Sequence, residues 1–210
     1  MKNAVTSRDL ACIALASFSL TLFGCQSDQA STAANEAEST KPQSVETDLV
    51  WAVNVGGSAY TGIDGTEYVA EESVSGGQIG EMEQVKGSQD ALLYKTYREG
   101  DIRIDRPMAN GTYDITFHFA EPADIGGRER LFDIHANGRR VIRETDVMAW
   151  RDGKIHSALT VTVPNVEVID GRLEIGFSAT ERQPVLSAFA VRTKRATSDD
   201  WQLVWSDEFD

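Results

Sequence analysis

Cysteine is scarce in this chain: two in 210 residues, Cys12 and Cys25, both at the N-terminal end. Everything beyond Cys25 therefore has neither a disulfide nor a cysteine metal site, and its stability must come from packing. Positive charge is also in short supply. Twenty Lys and Arg against 33 Asp and Glu give a formal net charge of −13, which argues against nucleic acid and anionic membrane surfaces as partners and suits a neutral ligand. There is no P-loop, no GxGxxG following a strand and no HExxH. The apolar run Leu10–Phe23 holds about 14 residues, fewer than the ~20 that span a bilayer. No internal repeat is visible.

What is present begins with a targeting signal. Lys2 and Arg8 precede the apolar run, and small residues follow it, as in a secretory leader. Leu22-Phe23-Gly24-Cys25 resembles the bacterial lipobox, in which the cysteine becomes the lipidated first residue of the mature chain. The alternative is an ordinary signal peptide that happens to contain a cysteine. Residues 26–48 are rich in Ser, Thr, Ala, Gln and acids and have almost no large apolar side chains. Such a segment buries too little surface to offset its ordering entropy and reads as a flexible tether. The expected organisation is a leader over 1–24, Cys25 as lipidation site with a tether over 25–48, one domain over 49–194, and a linker with the start of another domain over 195–210. The expected location is the bacterial cell envelope, with the lipid at Cys25 holding the chain to a membrane.

Leu49–Lys194 spans about 146 residues, enough for one domain with a real core. Strand-like runs recur at Val50–Val55, Leu92–Tyr97, Asp101–Asp105, Thr112–Ala120, Leu131–Ala136, Arg139–Arg143, Ala158–Val163, Arg172–Ser178 and Val185–Arg192. Turn signals separate them, among them Gly76-Gly77, Asn110-Gly111, Asn137-Gly138 and Asp170-Gly171. Short strands with this punctuation and no long helical period predict an all-β fold, an antiparallel sandwich of jelly-roll type. Period-two alternation places Tyr113, Phe117 and Phe119 on one strand face. They are expected in the core with Phe132, Phe177 and Phe189, and Trp51 is expected to anchor a strand start.

The stretch Gly111–Gly138, GTYDITFHFAEPADIGGRERLFDIHANG, closely resembles the central motif of malectin and malectin-like domains, known among bacterial enzymes as family 57 carbohydrate-binding modules. The resemblance extends over nearly all of 50–192 in ordered blocks: Ala52–Gly57 (AVNVGG), Asp64-Gly65 with Tyr68, Leu93–Arg98 (LYKTYR), the central pair, Thr145-Asp146-Val147, and Pro184–Arg192 (PVLSAFAVR). It implies a jelly-roll-like sandwich whose loops at one end line a pocket for glucose-containing oligosaccharides. A sugar presents an apolar ring face and a rim of hydroxyls, so its site needs aromatic surface and convergent planar polar groups. On those grounds the candidate binding residues are Asn54, Tyr68, Tyr94, Tyr97, Arg98, Trp150, Glu181, Arg182 and Gln183. The family often carries an acid just before the closing proline; Arg182-Gln183 stands nearest that position here, with Glu181 adjacent.

The final decapeptide, WQLVWSDEFD, looks like the opening of a family 16 glycoside hydrolase domain; the alternative is an edge strand packing Trp201 and Trp205 onto the sandwich. Catalysis by the chain itself would need two carboxyl groups at a defined separation. The family 16 catalytic strand reads E-x-D-x-x-E. The nearest string, Glu144–Ala149, has Ala149 in place of the second Glu and falls within a malectin-like block. Glu81 and Glu83 are paired acids with nothing to desolvate them. The chain is therefore expected to be non-catalytic: a binding module that holds a glucan, β-glucan favoured, near an attached hydrolase. The alternative is a protein- or cell-wall-interaction domain on the same scaffold. No cofactor is expected, a structural calcium ion is not indicated, and the expected state is a monomer.

Overall fold

Alternation in the central strand governs the architecture. In the computed structural model, which describes residues 47–194, Ile115, Phe117 and Phe119 are fully buried on one side of their strand, while Thr116 and His118 face the other way. Fourteen strands are present among the described residues. The first five are β1 (Thr47–Asn54), β2 (Tyr60–Thr61), β3 (Glu67–Ala70), β4 (Val74–Ser75) and β5 (Gln78–Glu81). A 3-10 turn over Ala91–Tyr94 leads into β6 (Thr96–Glu99), β7 (Arg103–Pro107), β8 (Gly111–Phe119), β9 (Leu131–Ala136) and β10 (Arg139–Thr145). A second 3-10 turn, Ala149–Arg151, precedes β11 (Leu159–Val168), β12 (Arg172–Glu181), β13 (Val185–Leu186) and β14 (Ala188–Lys194).

These strands form a six-stranded sheet in the order β11-β8-β14-β1-β3-β2, a five-stranded sheet in the order β10-β9-β12-β7-β4, and a small sheet β13-β6-β5. Pairing is antiparallel except for β1 with β3. The two large sheets face each other across one apolar layer. Phe117 meets Phe177 and Phe119 meets Phe132, ring to ring across the layer, at centroid distances of 6.0 and 5.9 Å. Phe189 and Tyr113 join the same core, so the expected core aromatics are all buried there. Each fully buried phenylalanine contributes about 1.5–3 kcal/mol. The fold is the antiparallel β-sandwich that the strand pattern predicts.

Local chemistry explains the joints. Asn137 and Gly138 both take positive φ, 47° and 74°, which two-residue hairpins of matching twist require. β11 runs on through Pro164 where the sequence pattern ends at Val163. A bulge absorbs the proline: register shifts between Val163 and Val166, Asn165 turns left-handed, and β11 is an edge strand where a missing N–H is tolerated.

The run Leu92–Tyr97 is corrected by the structure. Ala91–Tyr94 is a 3-10 turn, and the strand begins at Thr96. Asp90 sets the turn, its N–H donating to Ser88 Oγ and its carbonyl accepting from Leu93 N. The short strands β2 to β5 carry too few residues to register as alternation. Thr47 and Asp48, expected in the tether, already pair with Lys194 and Thr193. The expected leader 1–24, the lipidation site Cys25, the rest of the tether and the hydrolase-like segment in 195–210 lie outside the described residues.

Candidate functional site

Part of the outer face of the six-stranded sheet is covered. Ala52, Ala188 and Ala190, on the side opposite Val53, Phe189 and Val191, are small enough to admit Met82, Leu93 and Tyr94 over the sheet, beside Tyr68 of β3. His118 lies under that layer. Its Nε2 is 3.1 Å from the Tyr68 hydroxyl and its Nδ1 2.9 Å from the Tyr94 hydroxyl, which also meets Thr160 Oγ1 at 2.8 Å. Both tyrosine rings meet the imidazole edge-on. Burial pushes the His118 pKa down to about 4, against smaller opposing pulls from Asp64 and Asp90. Tyr68 and Tyr94, expected to meet ligand from strand ends or loops, are instead 6% and 3% exposed. They hold the covering layer onto the sheet.

Asn54 is also buried, and its amide holds a loop: Nδ2 donates to Ser58 O at 2.9 Å, and Oδ1 accepts from Thr96 Oγ1. Gly57 leaves room for that amide: a Cβ there would stand 2.4 Å from Asn54 Nδ2 and displace it. Arg98 is fully engaged. It makes a bidentate pair with Glu71 at 2.8 and 2.6 Å and donates to the carbonyls of Gly76 and Gly77. Glu71 also accepts from Gly56 N. Burial opposes its charge, but these donors outweigh that and hold its pKa below the usual value. Both serve the fold: Asn54 holds the loop between β1 and β2, and Arg98 ties the segment after β3 and the turn between β4 and β5 to β6.

Tyr97 is different. It is half-buried on β6 with its ring laid across Gly80 of β5, where a Cβ would come within 2.3 Å of the ring. Two residues on, Glu99 accepts from Arg130 Nη1 at 2.7 Å. The Arg130 side chain is 2% exposed, pairs with Glu121 (1% exposed) through Nε and Nη2 at 2.8 and 3.0 Å, and donates to the Gln183 carbonyl. Burial disfavours that cation, but Glu121 and Glu99 overcome it and raise the Arg130 pKa. Burial and Glu99 likewise raise Tyr97. A buried arginine thus ties together β6, the 121–130 loop and the loop before β13, beside a half-exposed tyrosine.

A 460 Å³ cleft is lined by Glu81, Met82, Glu83, Gln84, Lys86, Pro122 and His156. Glu81 follows Gly80, over which Tyr97 lies, and Pro122 follows Glu121. Of the nine sequence-derived candidates, the structure joins Tyr68 and Tyr94 at His118, and it joins the Gln183 carbonyl through Arg130 to Glu99, two residues from Tyr97. Glu181 ends β12, Arg182 and Gln183 follow it on the loop to β13, all three are exposed, and Arg182 reaches Glu129 at 3.4 Å. Trp150 stands 42% exposed on the second 3-10 turn. That turn is held by Asp146, which accepts from Ala149 N and Arg128 N at 2.9 and 2.6 Å. Asp146 is therefore a structural carboxylate, as its position in Glu144–Ala149 suggested.

Sequence reasoning missed His118, Glu121 and Arg130. The signal for His118 was available: alternation that sends Phe117 and Phe119 inward turns it to the opposite face. Nothing local marks Arg130, because its partners Glu99 and Gln183 lie 31 and 53 residues away in sequence. Among the described residues no group of three His, Cys, Asp or Glu side chains is placed to hold a metal ion.

Comparison with known proteins places this geometry. The family model described as "Malectin domain" matches residues 49–195. Malectin-B of Xenopus laevis is 26% identical over 138 residues, covering 60% of this chain and 48% of that protein. Human malectin is 25% identical over 138 residues, covering 60% and 46%. The chain thus spans about half the length of these curated relatives. Among solved structures, the Bacteroides uniformis beta-glucuronidase superposes with a TM-score of 0.59 at 22% identity, covering 69% of this chain and 18% of that one. The ANXUR1 extracellular domain from Arabidopsis thaliana gives 0.62 at 13%, covering 71% and 49%. At these identities the structural likeness speaks for the fold alone.

Proposed function

The chain belongs to the malectin-domain family, and from that premise we propose that its sandwich is a non-catalytic carbohydrate-binding module for glucose-containing oligo- or polysaccharide, β-glucan in particular. The observation that carries the reading is the family match over residues 49–195. The geometry offers a surface for it. Tyr97 offers a ring beside hydrogen-bonding groups at Glu99 and Gln183, Trp150 and residues 181–183 present further exposed groups, and the cleft lined by Glu81 and Pro122 offers a recess. Asn54, Arg98, Tyr68 and Tyr94 are spent on holding loops and strands together. Of the carboxylates around it, Glu121 and Glu99 pair with Arg130, Asp146 caps a turn, and the cleft's own pair, Glu81 and Glu83, stands exposed with nothing to desolvate it. That supports a binder rather than a hydrolase.

We further propose the setting read from the sequence: lipidation at Cys25 tethers the module to a bacterial envelope, and Trp201–Asp210 opens a family 16 hydrolase. A weak binder linked to a catalyst raises the local substrate concentration without new chemistry. The test is calorimetric titration of the chain bearing Cys25→Ser with laminari-, cello-, malto- and agaro-oligosaccharides, beside a reducing-sugar assay on the matching polymers. Saturable binding without product, abolished by Tyr97→Ala, is expected. Released reducing ends would overturn the binder reading. Silence in both assays would shift the weight to a protein- or cell-wall-interaction domain.

A further inference from the structure

Gly176 sits mid-strand in β12, the central strand of the five-stranded sheet. Its neighbours Ile175 and Phe177 point into the core, so its own missing side chain is on the outer face. Glycine weakens a strand interior, and its presence there usually has a backbone or a packing reason. Neither applies. Its φ is not in the left-handed region, and an added Cβ would meet no atom within 4 Å. No other described glycine combines those two properties: each either takes positive φ or would place its Cβ against a neighbour. The bare position is instead the floor of a 480 Å³ trough on the sheet's outer face.

Register builds the walls. Gly176 pairs with Arg103 of β7 on one side and His135 of β9 on the other, and Arg140 of β10 stands beyond His135. Donors therefore line the row through the gap; Arg103 and Arg140 each spend one N–H on a carboxylate of the next row, Asp101 and Asp133, and keep others for an occupant. The adjacent row pairs Glu174 with Asp105, and the row on the far side pairs Ser178 with Asp133. Rows of donors and acceptors thus alternate along the strands, two residues or about 7 Å apart. An anion would meet the carboxylate rows, a cation the Arg103–His135 row, and an apolar occupant would strip water from both. Hydroxyl groups both donate and accept, so a polyhydroxylated neutral chain satisfies every row.

We infer that this trough is a second glycan-binding surface, separate from the Tyr97 loop patch and holding its ligand by hydroxyl contacts in place of an aromatic platform, in which a stretch of neutral polysaccharide lies across Gly176. The inference rests on the carbohydrate-binding reading above. It gives the module two places along one chain, so long polymers bind better than short oligosaccharides.

Gly176→Val tests it, because the valine fills the trough at a position where the fold has room and where a β-branched residue is favoured. Binding of the Cys25→Ser chain to soluble polymeric β-glucan is measured by affinity electrophoresis, beside thermal melts. Gly176→Val is expected to keep the melting temperature and lose about tenfold in affinity, the equivalent of one or two hydrogen bonds. If valine disturbs the melt, the paired exposed-wall substitutions Arg103→Ala and His135→Ala replace it and are expected to lose as much. Parent binding with unchanged Gly176→Val and wall-variant binding overturns the trough while leaving the module reading intact. No binding by the parent to any glycan in the panel overturns both.

Discussion

Replacing His118 by glutamine is expected to flatten the pH dependence of folding between pH 6.5 and 4. The imidazole titrates near 6.5 in the unfolded chain and near 4 in the fold, chiefly because it is buried among Tyr68, Tyr94 and Thr160. Asp64 and Asp90 draw its pKa up, and Arg192 adds to the depression. Between those two pH values the unfolded state binds the proton and the native state does not, so stability falls as pH falls. The contribution is fully present above pH 6.5. At 1.36 kcal/mol per unit, it is reduced by about 2 kcal/mol at pH 5 and about 3 kcal/mol near pH 4. Glutamine keeps a donor and an acceptor for the two tyrosines but carries no proton to titrate. It loses about 1–2 kcal/mol at every pH for imperfect hydrogen bonds. Asp64, Glu71 and Asp133 have lowered native pKa values, so they lose stability further down, as pH falls through the carboxylate range. They do so in both proteins and cancel in the difference. Urea unfolding at intervals from pH 7.5 to 4.5 reads the effect as a wild-type midpoint that drops with pH and a variant midpoint that hardly moves above pH 5. Parallel curves for the two proteins would refute the reasoning.

Two further outcomes follow from the loop end. Glu121→Ala leaves Arg130 buried with only Glu99 and a carbonyl, and is expected to cost about 3–5 kcal/mol in urea unfolding; the double variant Glu121→Leu with Arg130→Met should recover most of that, and failure to recover would mean that the pair contributes more than charge neutralisation. Gly80→Ala sets a Cβ 2.3 Å from the far end of the Tyr97 ring, which swings aside at little cost in stability; glycan affinity should fall as far as in Tyr97→Ala, and retained affinity would remove Tyr97 from the site.

Much of the scaffold is legible in the chain because its causes are local. Period-two alternation at Tyr113 to Phe119 fixes which side of β8 is apolar before any partner is known, and Asn137-Gly138 announces its hairpin through the φ values that only such residues adopt readily. The short strands β2 to β5 escape the same reading because two to four residues cannot display a period. Leu92–Tyr97 misleads for a related reason: apolar residues at Leu93 and Tyr94 suit a strand, but the turn set by Asp90 and the pull of His118 bend them into a covering layer.

By itself, then, the sequence determined the sandwich class, its core face and its family, since hydrophobic partition and turn chemistry act residue by residue along the chain. Tertiary structure alone decided which polar and aromatic groups are free. Arg98 is an inviting ligand contact until Glu71, 27 residues away, takes its fork. Tyr68 is a rim aromatic until His118, 50 residues away, takes its hydroxyl. Gly176 is an ordinary strand glycine until three strands in register leave open space above it. A side chain's availability depends on whether its hydrogen bonds and surface are already satisfied, and the groups that satisfy them come from distant parts of the chain.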